Sequence, residues 1–146
     1  MKPYGASVLC CIEDASASSM AALEFAASMA CRRRSGDGAD LVVVLVCRSP
    51  SCILVDPVPA FEWLGAGADV KAMIEGVAAD FGLAPRVDEI AGWSHGDIAR
   101  IARERRSKAV ILPMLDDGAG PLIRWRRRGL VSGLIDRTQA VVVDEY

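Results

Sequence analysis

The stretch PMLDDGAGPLIRWRRRGLVSG, Pro113 to Gly133, collects the residue types that hold phosphates. Glycines let a backbone come close to a ligand, and the N–H groups at a helix start favour an anion. Pro121 suits the first turn of such a helix, and Arg124, Arg126, Arg127 and Arg128 would add positive charge. Asp116 and Asp117 work against this chemistry: they use the positive potential internally and repel a phosphate unless a divalent cation bridges them. The loop reads either as an anion cradle or as a cradle that has lost its ligand.

Other groups offer weaker chemistry. Glu13 and Asp14 follow an apolar run, and with Asp116 and Asp117 they could form a divalent-metal site. Capping of the following helices is the simpler role, because acids are stabilising there in any case, and no metal site is assigned. His95 stands in the loop GWSHGD beside Gly96 and Asp97, with no nucleophile at recognisable spacing. No catalytic residue is assigned, and enzymatic activity is not expected. Trp63 and Trp93 read as partly buried packing residues, and the RWRRR cluster as a solvated helix face paired with nearby acids.

The elements that must position these groups follow from hydrophobic periodicity. ASVLCCIE (6–13) is a buried strand, and the serines of DASASS suit a helix cap. Met20, Leu23, Ala27 and Ala30 then recur at helical spacing, and Gly36 or Gly38 can end that helix. DLVVVLVC (40–47) is a second buried strand. The proline-rich RSPSCILVDPVPAFEWLGAG is expected to be a long crossover loop, with a helix only from Val70 to Phe81. PRVDEIAG reads as a half-exposed edge strand, and a helix starts near Asp97 that buries Ile98, Ile101 and Ala102. KAVILPML (108–115) is a fourth strand, and the helix after Pro121 offers Leu130, Leu134 and Ile135 to the core. AVVVDEY is a fifth strand.

Strands and helices thus alternate through one domain, 1–146, giving a doubly wound parallel α/β sandwich with helices on both faces. Ligands of such sheets sit outside the carboxyl ends of the strands, where the strand order reverses.

Composition excludes several classes of function. With 17 basic and 19 acidic residues and a net charge of −2, nothing pulls the whole chain toward nucleic acid or an anionic membrane. No run approaches the ~18 apolar residues of a membrane span, and the N-terminal apolar run is too short for a secretory signal. A cytoplasmic location is expected. Five cysteines without CxxC spacing and a single histidine make a zinc site improbable. Cys10, Cys11 and Cys47 are expected to be buried and inert, and Cys52 to be the most exposed thiol.

The order of elements and several residues resemble the universal stress protein family over essentially the whole chain. IEDAS stands where the family has an aspartate followed by Gly-Ser, so Glu13 replaces a nucleotide-contacting aspartate. HGDIARIA keeps Gly96 and Asp97 of a family Gly-Asp-Pro loop. Against the family pattern Gly-x-x-Gly, nine residues, then Gly-Ser or Gly-Thr, Gly129 matches the last glycine. Asp116 and Ala119 stand at the two earlier glycines, Gly118 and Gly120 flank the expected place, and Leu130 replaces the hydroxyl.

The resemblance implies a Rossmann-like sheet of order 3-2-1-4-5, akin to the adenine nucleotide alpha hydrolases. It also implies a ligand site drawn from Glu13, Asp14, Cys47, Gly96, Asp97, Asp116, Gly118, Gly120, Gly129 and Leu130. The broken motif predicts a regulatory or interaction module with no resident cofactor and little or no ATP binding. The alternative is an adenine-nucleotide-binding protein with its site at the ends of strands 1, 3 and 4. A phosphate-ligand hydrolase or transferase is a third class, disfavoured by the lack of a nucleophile–base pair. The expected partners are an unknown protein and a second copy of the chain, paired through the C-terminal edge strand 139–146.

Overall fold

The computed structural model describes residues 7–34, 40–47, 60–115, 118–144 and 146, without the side chains of 33–34 and 60–68. The expectations for Gly36, Gly38, Cys52, Asp116 and Asp117, and for the Trp63 side chain, therefore lie outside the described residues. Nine elements follow one another as β1 (Ser7–Ile12), α1 (Ala17–Arg34), β2 (Asp40–Cys47), α2 (Ala60–Asp80), β3 (Arg86–Ala91), α3 (His95–Glu104), β4 (Ser107–Ile111), α4 (Pro121–Arg137) and β5 (Val141–Val143).

Five strands form one parallel sheet of order β3-β2-β1-β4-β5. β1 is central and buried along its whole length, which is why it carries no polar alternation. Its side chains divide between two cores. Val8, Cys10 and Ile12 pack with Leu23, Ala26 and Ala30 of α1 and Ile74 of α2. Leu9 and Cys11 pack on the other face with Ile98 and Ala102 of α3 and Leu134 of α4. Helices α1 and α2 thus cover one face and α3 and α4 the other. β3 shows the exposed pattern foreseen for an edge.

Three expectations are corrected. α2 starts at Ala60, ten residues before Val70, directly after the last of the three prolines in the preceding segment. Gly65 and Gly67 resemble loop punctuation in the sequence, yet a helix interior tolerates glycine at about 1 kcal/mol. Met20 and Ile135 are 41% and 56% exposed rather than core residues. Ile135 lies one position beyond Leu134, about 100° around the helix, and so turns away from the sheet. β5 is only three residues long, although Leu112 N–H still donates to the Val143 carbonyl at 2.8 Å.

The thiols divide similarly. Cys10 and Cys11 are fully buried, and burial pushes both thiols up. Cys47 is only half-buried, so the expected burial of all three strand cysteines fails at the strand end. Cys31 is exposed on α1.

Candidate functional site

The carboxyl ends of β1 and β4 diverge because β1 continues into α1 on one face and β4 into α4 on the other. A cleft of about 1290 Å³ opens between them, where the strand order reverses. Its walls include Glu13 and Asp14 after β1, Trp93 after β3, Pro113 and Met114 after β4, and Arg127 and Leu130 of α4.

Asp14 is committed to α1. Its Oδ1 accepts from Ser16 N–H at 3.1 Å and from Ser19 Oγ at 2.7 Å. Ser16 Oγ in turn accepts from Ser19 N–H at 3.3 Å, an N-cap that satisfies one of the first-turn donors. The capping role foreseen for this acid is the one observed.

Glu13 is tied to the far side of the cleft. Trp93 Nε1 donates to Glu13 Oε2 at 3.0 Å across 80 residues of sequence. Trp93 is brought there by Gly92, whose φ of 75° turns the chain sharply after β3 and whose N–H donates to the Cys47 carbonyl at 3.0 Å. The indole is therefore a wall of the cleft as well as a packing residue.

Arg127 departs from the solvated face expected of the cluster. It is half-buried, donates Nη1 to the Pro113 carbonyl and lies 6.0 Å from the centre of the Trp93 ring. Burial lowers the guanidinium from its ordinary value, opposed by Asp144, Tyr146, Cys11 and Glu13. Arg124 Nε donates to the Ala119 carbonyl at 3.0 Å, while Arg126 and Arg128 are exposed.

Four of the sequence-predicted residues, Glu13, Asp14, Gly129 and Leu130, do line the cleft. Gly118 and Gly120 do not; Gly120 is the N-cap of α4, with no side-chain cap bond. Gly96 and Asp97 lie in the first turn of α3, where Asp97 N–H donates to Ser94 Oγ at 3.3 Å and the Asp97 carboxylate pairs with Arg100. Cys47 contributes its carbonyl to Gly92 rather than its thiol to the cleft. His95 opens α3 instead of sitting in a loop, with its ring against Gly133 of α4. Sequence reasoning missed Trp93 and Arg127 as cleft residues. The usable signal was an indole and a glycine at a strand end, and an arginine two residues before the motif glycine Gly129.

Neither protein-family models nor curated proteins give a significant match to the sequence. Solved structures do. A universal stress protein from Archaeoglobus fulgidus in complex with dAMP superposes with a TM-score of 0.64 at 15% identity, over 97% of this chain and 98% of that one. A universal stress protein in complex with cAMP gives 0.63 at 15%, over 99% of both chains. A member of the family from Burkholderia pseudomallei gives 0.63 at 19%, over 95% of this chain and 96% of its own. The fold is that of the universal stress proteins. Against the universal stress protein motif, the acid after β1 and the glycine in α4 occupy the cleft wall, whereas the hydroxyl position is the apolar Leu130.

Proposed function

We propose that the chain is a cytoplasmic, non-catalytic regulatory or interaction module of the universal-stress type that does not hold adenine nucleotide tightly. The observation that carries this reading is the Trp93–Glu13 hydrogen bond. The acid at the end of β1 is engaged by an indole that stands inside the cleft, so a ribose hydroxyl would have to share the carboxylate with it and fit beside the ring. The neighbouring acid, Asp14, is engaged by the α1 cap. Leu130 offers no hydroxyl to a phosphate.

Protein purified without added nucleotide is expected to release none on denaturation, as read by chromatography. Nucleotide at near one per chain overturns the reading. The second reading, an adenine-nucleotide-binding protein, draws support from the size of the cleft and from the dAMP and cAMP complexes of the similar structures.

We infer as well that two copies pair through β5, the outermost strand on its side of the sheet among the described residues. Val141, 65% exposed there, is the apolar residue offered to a second copy. The surface of α4, where Leu122 and Trp125 stand exposed among arginines, supports an interaction role with a further protein.

A further inference from the structure

We propose that the cleft between β1 and β4 takes a small organic monocarboxylate with an apolar body, its carboxylate paired with Arg127 above the Trp93 ring. The inference rests on the reading that this cleft does not hold nucleotide. Arg127 spends one N–H on the Pro113 carbonyl, and its other N–H groups have no hydrogen-bond or ion-pair partner among the described residues. A half-buried guanidinium loses water on folding, and no carboxylate among the described residues lies within ion-pair distance to replace it. A planar fork of N–H groups matches a carboxylate bidentately.

The charge of the ligand follows from the neighbours. Glu13 and Asp144 already act on Arg127, so the surroundings tolerate one added negative charge better than two or more. Phosphate monoesters and polyphosphates are disfavoured at Arg127 on that count; the other arginines that line the cleft, Arg126 and Arg128, are exposed, and solvent screens their charge. One wall of the cleft is apolar: Pro113, Met114, Leu115, Ile123 and Leu130 line it beside the indole, while Asp14, the first-turn serines of α1, His95 and the exposed Arg126 and Arg128 line the remainder. An acyl or aryl body buries against these groups while the acid end reaches Arg127. An apolar wall with a held polar group at its end is the usual form of a small-molecule site.

Thermal denaturation of the full chain with 4-phenylbutyrate and octanoate tests this, against 4-phenylbutanamide and octan-1-ol as neutral counterparts. The acids are expected to raise the melting temperature by about 9 °C at a hundredfold excess over Kd, with the neutral compounds well below that. Arg127→Met should abolish the difference, and Arg100→Met, an exposed arginine of α3 away from the cleft, should keep it. Equal shifts from acid and neutral compound, no shift from either acid, or loss with Arg100→Met alone overturns the assignment. If Arg127→Met does not fold, carboxyl-labelled phenylbutyrate is titrated by carbon NMR on the unaltered protein. A lowered carboxyl titration midpoint in the bound state supports the pairing, and an unchanged midpoint overturns it.

ATP with magnesium, measured in parallel, separates the two readings. A shift from ATP alone overturns both, and a shift from the acids alone supports both. No shift from either class overturns only the carboxylate assignment, and shifts from both overturn only the nucleotide-poor one.

Discussion

Tyr146 is fixed by two contacts. Its ring stacks on Phe25 with centroids 4.9 Å apart and planes 13° apart, and its hydroxyl donates to the Leu112 carbonyl at 3.1 Å. Burial pushes its ionisation up to about 12 from the ordinary 10. The fold therefore holds this proton more tightly than the unfolded chain does. The stabilisation is complete below pH 10 and is lost as pH rises toward 12. Cys10 and Cys11 add the same sign from about pH 9, since burial raises both. The specific expectation is a comparison: the gap in urea midpoint between wild type and Tyr146→Phe narrows between pH 10 and 12. A gap constant across that window refutes the assignment. At this scale the sequence is least informative. Glu13 and Trp93 meet across 80 positions, and nothing local to either residue announces the other. Arg127 looks like its neighbours Arg126 and Arg128 until the helix phase turns it inward.

Two glycines of α4 sit four residues apart and face opposite environments. A Cβ on Gly133 would stand 2.7 Å from His95 Cγ and 2.8 Å from Cδ2, closer than side-chain carbons pack. A Cβ on Gly129 would meet nothing within 4 Å. Gly133→Ala should therefore cost about 1–3 kcal/mol through overpacking. Gly129→Ala should gain roughly 0.5–1 kcal/mol through helix propensity. Adding His95→Ala to Gly133→Ala should restore most of the loss, and urea unfolding of the single and double variants measures it. A Gly133→Ala protein as stable as wild type removes the proposed role of this contact in spacing α3 from α4.

At the same scale much was legible. After their first residue β1 and β2 are continuous apolar runs, and β4 ends in the buried Ala109, Val110 and Ile111; only burial on both faces explains such runs in a chain of balanced charge. The start of α2 was not legible, because glycines and nearby prolines imitate a loop while packing decides otherwise. Gly133, which the structure ties to His95, reads in sequence as one more small residue beyond the motif.

For the whole molecule, the testable matter is assembly. The sheet has two edges, and they differ. β3 presents Arg86, Asp88 and Glu89, with Lys71 on Glu89 at 3.3 Å, so charge guards it. β5 presents three valines. If copies pair, β5 is the edge that pairs, and sedimentation at micromolar concentration should find twice the 15.5 kDa chain mass. Val141→Glu places like charges across a symmetric junction and should return the protein to single chains. A species of one chain mass in the wild type, or a dimer untouched by Val141→Glu, rejects this interface.

The central place of β1 also bears on the chain's synthesis. Ser7 pairs with Asp40 on one side and with Ser107 on the other. The edge of β1 that awaits β4 is completed only when the segment ending at Ile111 has left the ribosome. Until then a strand apolar from Val8 to Ile12, already paired with β2, keeps a row of unmet N–H and C=O groups open to its surroundings. The nascent protein is thus most prone to wrong partners after β2 forms and before β4 arrives.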